Sequence, residues 1–281
     1  MSTIIDIRPS PLAGRWYPAN PRKLAESVDN YIQAARIPEI KGKILALISP
    51  HAGHLYSGSV AGYAFKTILG QHPELIVILS PYHQYHSGAI LTSGHQAYQT
   101  PLGEIPVDRQ SIEFVNQSLQ EKTGVELSEI RNDGEHAVEI LLPFFQRTLQ
   151  SEFTLLPIML RQQQADLMQP LGEILAELML SRKGLLVAST DLSHFQTAEI
   201  ANQLDQTVIQ GIQSLDPKSL YQAQKENTGS ACGLGALAAV IWAVKSGGGA
   251  SAQILNYAHS GNITGDNTSV VGYTSAVITR G

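Results

Sequence analysis

Short, uninterrupted apolar runs set the rhythm of the chain. Ile44-Leu45-Ala46-Leu47-Ile48 follows the polar Lys41-Gly42-Lys43, and Leu75-Ile76-Val77-Ile78-Leu79 and Gly184-Leu185-Leu186-Val187-Ala188-Ser189 repeat the pattern. Runs of this length without polar alternation predict strands covered on both faces. Pro50 and Gly53 end the first and Ser80-Pro81 the second. Residues 88–92 and 153–160 read as further strands. Between them the pattern predicts helices, from about residue 57 or 59 to 69, over 109–119, and over 135–149, the last kinked or shortened at Pro143. Leu167, Leu171, Ile174 and Leu178 fall at helical spacing on one face. Helices over 197–214 and 234–245 follow, then the flexible turn Ser246-Gly247-Gly248-Gly249 and strands over 253–258 and 269–278.

Strands alternate with helices, so the pattern predicts a single α/β domain over residues 1–281, a largely parallel sheet between helix layers. The last two strands leave no room for a helix between them and should pair antiparallel. No internal repeat, low-complexity segment or linker interrupts the chain.

Composition narrows the function classes. Of 281 residues, 43% are hydrophobic and 15% charged, which points to much buried chain. The net charge is −5 and no Lys/Arg run is present, so nothing attracts a phosphate backbone and nucleic acid is not an expected partner. One cysteine, Cys232, allows no intramolecular disulfide and fits a reducing, cytoplasmic setting. The N-terminus, Met1-Ser2-Thr3-Ile4-Ile5-Asp6, lacks the apolar core of a signal peptide. The longest apolar stretch, Ala231 to Val244, is shorter than the roughly 20 residues that span a bilayer and reads as a buried helix, so no membrane is expected.

Ligands of open α/β sheets bind beyond the carboxyl ends of strands. His51, with His54 and Tyr56 close by, follows the first strand. Tyr82-His83-Gln84-Tyr85-His86 follows the second, and Thr190-Asp191-Leu192-Ser193-His194 follows the strand ending at Ser189. Glu135-His136 sits at an expected helix start, with Asn132 or Asp133 as cap. Each has a plain alternative. A single histidine after a strand is usually a loop residue, Asp191 can simply cap a helix, and Glu135 can favour a helix dipole. Tyr56 and Tyr82 can be packing, and Cys232 a small buried hydrophobe. Three strand ends that each carry histidine outweigh those alternatives, because a parallel sheet brings such ends to one edge. Clustered His, Asp, Glu and Cys suit metal binding or acid–base catalysis. The chain has no HExxH, CxxC, P-loop, GxGxxG or Gly-x-Ser-x-Gly motif, so a metal site must be assembled from distant segments.

Ser49-Pro50-His51-Ala52-Gly53 with Tyr56-Ser57-Gly58 resembles the PHAGY-x-YSG motif of the Memo family, called AmmeMemoRadiSam system protein B in prokaryotes. Ala13-Gly14-Arg15-Trp16-Tyr17-Pro18, Thr100-Pro101-Leu102-Gly103, Glu135-His136-Ala137-Val138-Glu139 through Leu142-Pro143-Phe144, Ser189-Thr190-Asp191-Leu192-Ser193-His194-Phe195, Cys232-Gly233, and Gly265-Asp266 with Val270-Val271-Gly272-Tyr273 continue the match in order. The resemblance implies a class III extradiol dioxygenase-like fold and a pocket in which His51, His83 and Cys232 bind metal. His83 is the match rather than His86, because it follows Ser80-Pro81-Tyr82 as the family's histidine follows its GP-x segment. Iron or copper is the implied cofactor, with zinc also compatible with the donors. Glu135, His136, Asp191 and His194 would be the catalytic, proton-transferring groups, and Trp16 and Tyr56 aromatic walls. Two departures stand out: His54 replaces the tyrosine of PHAGY and adds an imidazole near the site, and Tyr82 replaces a smaller residue and would narrow the mouth. The implied function is a metal-dependent oxidoreductase of unspecified substrate. The alternatives are a pocket that binds a peptide or small ligand without turnover, and an accessory role beside a radical-SAM protein.

Overall fold

The structure, a computed structural model, describes residues 5–281; Met1 to Ile4, part of the segment read for a leader, lie outside the described residues. The chain opens with β1 (Ile7–Arg8), α1 (Pro21–Ala34), β2 (Lys43–Ser49), α2 (His54–Lys66) and β3 (Leu75–Pro81). Next come β4 (Ile90–Ser93), the hairpin of β5 (Ala97–Thr100) and β6 (Gly103–Pro106), α3 (Arg109–Thr123) and β7 (Leu127–Ile130). A 3-10 turn, Glu139–Leu141, leads into α4 (Leu142–Thr148), followed by β8 (Thr154–Leu160), α5 (Ala165–Ser181), β9 (Gly184–Ser189) and β10 (His194–Gln196). The rest is α6 (Ala198–Gln213), α7 (Pro217–Lys225), α8 (Leu234–Lys245), β11 (Ala250–His259), the single turn α9 (Gly261–Thr264) and β12 (Val270–Arg280).

Among the described residues these strands form one nine-stranded sheet in the order β10-β12-β2-β9-β3-β8-β4-β7, with β11 also on β12, and a three-stranded sheet β1-β5-β6. The parallel arrangement expected from the alternation occupies the centre, where β2, β9, β3 and β8 run parallel. The flanks are antiparallel: β12 against β2, β11 against β12, and β4 against β8. Every residue of β3 is buried. That is why Leu75–Leu79 is continuously apolar, since helices cover both faces. α2 and α8 both touch β2 without packing on each other, which sets them on opposite faces. α8 has ten buried residues of twelve and fills the space the apolar stretch required. No described helix is long and apolar enough to cross a membrane.

Two of the departures from the periodicity have a plain local cause. The expected helix over 135–149 is irregular through Val138 and becomes α-helical only at Leu142. The cause is local: Glu135 Oε1 takes the backbone N–H groups of His136 and Ala137, and Asp133 Oδ1 takes that of Glu135, which holds the chain in turns. Pro143 then suits the first turn of α4, where a missing N–H costs nothing. α1 is the second departure, a helix absent from the expected series although its signals are present. Asn20 accepts from Lys23 N–H, Pro21 begins the helix, and Leu24, Val28 and Ile32 recur every four residues and are buried. Burying each contributes roughly 1.5–3 kcal/mol.

Candidate metal centre

β2 and β9 end side by side, with Ser49 opposite Ser189, and β3 ends next to them at Pro81. His51, His83 and Asp191 therefore leave the sheet at a common edge. The segment before α4 adds Glu135 and His136 to them.

His51 is almost completely buried. Its Nδ1 lies 2.9 Å from Ser189 Oγ, which donates its own proton to Ala137 O at 2.7 Å. Nδ1 is therefore the donor in the His51–Ser189 pair, and Nε2 keeps its lone pair. His83 Nδ1 lies 2.9 Å from Glu135 Oε1 and is likewise the donor. His136 stacks on His83 at 4.4 Å between ring centroids, with its Nδ1 3.3 Å from the same oxygen. One carboxylate thus fixes the His83 ring through Nδ1, leaving its Nε2 free, and holds His136 beside it through the backbone N–H, the pattern that prepares histidine for metal.

Burial keeps two of these rings, His51 and His136, neutral. Burial, and then the neighbouring His136, His83 and His194, push His51 well below its ordinary range. Burial pulls His136 down to about 4, the nearby Glu135 opposing and His83 reinforcing. Burial would raise Glu135, but its hydrogen bonds, first that from the His83 ring, and the neighbouring imidazoles hold it at about 2, ionised. His51, His83 and His136 each offer a nitrogen within 4.8 Å of the other two, a cluster that could hold a metal ion.

Cys232 lies behind His51. Its Sγ is 3.2 Å from His51 Nε2 and 3.2 Å from the Asp191 backbone N–H. Burial, and then Asp191, push the thiol far above its ordinary range, so it is protonated. Asp191 Oδ1 accepts the His51 backbone N–H at 2.7 Å, and burial raises its carboxyl to about 7 against the hydrogen bonds from His51 and Ala52. His194 donates Nδ1–H to Leu192 O at 2.7 Å, and burial lowers its pKa.

A cavity of about 700 Å³ opens above the cluster. His51, His83, His136, Asp191 and His194 reach it, and Trp16 and Tyr56 wall it. Trp16 also packs on His136 at 4.4 Å. Glu135 and Cys232 stand behind the imidazoles and do not line the cavity. Two expected pocket residues are elsewhere. His54 is buried among Tyr17, Tyr31 and Phe144 and donates Nε2–H to Ile140 O at 2.9 Å. As the first residue of α2, it points into the helix layer instead of the cavity. Tyr82 is buried beside His86, because side chains alternate along extended chain and His83 takes the cavity side. His86 itself accepts the Gly88 N–H in its loop and does not join the cluster.

Arg15, Phe195 and Tyr273, which fall inside the matched motifs but carry no site role there, also line the cavity. Phe195 is 75% exposed and holds a left-handed φ of 59°, a strained conformation for a bulky side chain. Nothing in the one-dimensional pattern marks that backbone. Ser189 is legible there only as a strand end.

An α/β fold with an imidazole cluster beyond the carboxyl ends of its parallel strands defines the class. The chain belongs to the Memo family: the Memo-like protein model matches residues 8–277. It is 34% identical to a MEMO1 family protein of Nitrosopumilus maritimus, over 95% of this chain and 98% of that one. It is 31% identical to one of Methanosarcina mazei, over 98% and 100% respectively. A crystal structure of an uncharacterized protein from Escherichia coli K12 shares the fold. It has a TM-score of 0.55 and 14% identity, and the match covers 83% of this chain and 99% of that one.

Proposed function

We propose that the chain is a metal-dependent oxidoreductase acting on a small molecule, with iron or copper held by His51 and His83 and completed by Cys232. The observation that carries this reading is the trio of imidazoles at the floor of a cavity, two of them, His51 and His83, fixed through Nδ1. Such nitrogens suit iron, copper and zinc, and a thiolate adds preference for soft ions. Cys232 Sγ is close enough to His51 Nε2 for one cation to meet both, and binding would displace the thiol proton. When bound, iron or copper would supply the redox chemistry, with dioxygen as the class of oxidant that the dioxygenase likeness supports. The protein's own groups would do the rest. Trp16 and Tyr56 pack against the substrate, and His194 Nε2, left free by the bond from Nδ1 to Leu192 O, accepts a proton. Asp191 keeps the His51 backbone in place.

The test is anaerobic metal loading of wild-type, Cys232→Ser and His136→Gln proteins. The reading expects about one ion per wild-type chain and an affinity lower by about 100-fold or more in Cys232→Ser. Unchanged affinity there, with a loss in His136→Gln, would make the third donor His136. Failure of the wild type to take up either iron or copper would overturn the reading in favour of metal-free ligand binding.

A further inference from the structure

We infer that Arg8 is a positioning residue for the metal centre: its guanidinium fixes the 133–139 segment, and through it the carboxylate that fixes the His83 ring and holds His136 beside it. The importance of that role rests on the metal reading above; the geometry does not. Arg8 is completely buried, although it sits in a strand of only two residues. Its Nε reaches Asp133 Oδ2 at 3.1 Å, and Nη2 reaches Asp133 Oδ1 at 3.0 Å, Asp133 O at 3.2 Å and Glu135 O at 2.9 Å. Nη1 reaches Glu139 Oε2 at 2.6 Å and Pro9 O at 3.2 Å. The Tyr98 ring lies against the guanidinium at 4.8 Å. One planar fork therefore holds both ends of the segment and the carbonyl of Glu135 itself.

The segment has no regular helix or strand before Glu139 to define it. It leaves β7 through Asn132 at a left-handed φ of 51°, and the first helical bond is Ile140 N–H to His136 O. Asp133 Oδ1 passes the Arg8 contact to the Glu135 backbone N–H at 3.0 Å. The Glu135 carboxylate then takes the His83 N–H and Nδ1–H together with the His136 and Ala137 N–H groups. Glu139 ties the same segment to the stretch carrying Trp16, by accepting from Tyr17 Oη, Ser10 Oγ and Leu12 N–H. Burying an arginine with two carboxylates is costly, and apolar packing would stabilise the fold as well. What apolar packing would not supply is a fork that sets two backbone carbonyls and two carboxylates at once. Lysine offers the charge without that fork.

The test uses Arg8→Lys and the charge-balanced pair Arg8→Met with Asp133→Asn, which keeps an acceptor for the Glu135 N–H. Circular dichroism establishes folding. Imidazole nitrogen NMR on metal-free protein then reads the tautomers, and Co(II) titration reads affinity. In the folded variants His83 is expected to lose its fixed Nδ1–H form while His194, held by Leu192 O outside the segment, keeps its own. Co(II) affinity should fall by about tenfold or more. If Arg8→Lys does not fold, the double variant decides. Wild-type tautomers in either folded variant would reduce Arg8 to a fold-stabilising residue and overturn the inference. A wild type that binds no Co(II) would sink the metal reading alone, because the tautomers still report on Arg8.

Discussion

Glu135 grips His83 twice, its Oε2 taking the backbone N–H at 2.7 Å and its Oε1 the ring Nδ1 at 2.9 Å. Backbone and imidazole are thus set by one side chain that is itself ionised and buried. Glutamine at 135 would keep one acceptor oxygen and turn an amide NH2 toward an N–H donor. The Glu135→Gln protein should lose 10–100-fold in metal affinity and about 1–3 kcal/mol in stability. Co(II) titration and urea unfolding measure the two; an affinity equal to wild type would remove Glu135 from the centre.

His54 gives a pH prediction. Burial lowers its pKa to about 4, and its Nδ1 has no hydrogen-bond partner among the described residues, so a second proton finds no acceptor. The unfolded chain protonates His54 near 6.5 and the native state only near 4. Between those values the unfolded state binds more protons, so this contribution is complete above about pH 6.5 and is lost as the pH falls toward 4. The loss is roughly 3 kcal/mol. His54→Phe should cost about 1 kcal/mol at pH 7, for the Ile140 carbonyl left unpaired, and should flatten the acid limb. Parallel stability–pH curves for the two proteins would refute the buried, neutral assignment.

How much is legible in the sequence depends on how local the signal is. β2, β3 and β9 are readable because buried parallel strands need continuous apolar runs, and α8 because it is enclosed. His51, His83 and Asp191 are readable as polar residues just beyond those strands. His54 and Tyr82 are misplaced by the sequence, because proximity along the chain to His51 and His83 does not say which way a side chain points. The antiparallel pairing of β4 with β8 and the irregular 133–139 segment are not legible, since they depend on contacts between distant residues such as Arg8 with Glu139.

The α1–α2 contact makes a stability prediction. A Cβ on Gly62 would stand 2.5 Å from Tyr31 O and 2.7 Å from Tyr31 C, both backbone atoms that cannot swing aside. Gly62→Ala gains helix propensity of roughly 1 kcal/mol but must push α1 away. The net effect should be a loss of about 1–3 kcal/mol, read by urea unfolding. A stabilised variant would show that α1 moves freely on α2.

Asp108 supplies the acid-side counterpart at the opposite end of the sheet. It caps α3 by accepting the Ser111 N–H at 2.9 Å, and it takes Arg182 at 2.6 Å and the Thr154 hydroxyl at 2.9 Å. Burial alone would raise its pKa, but the Arg182, Ser111 and Thr154 hydrogen bonds outweigh it and hold the carboxyl below its ordinary value of 3.8. A depressed native pKa means the unfolded chain takes up the proton first. The contribution is therefore present above the ordinary carboxylate range and disappears as the pH falls through it to the lower native value. Asparagine at this position would keep the cap acceptor and lose the charge facing Arg182. Asp108→Asn should cost about 1 kcal/mol at pH 7, and the two stability curves should converge as both proteins are acidified. A gap that stays constant to low pH would mean that Asp108 acts through shape alone and that its pairing with Arg182 contributes nothing.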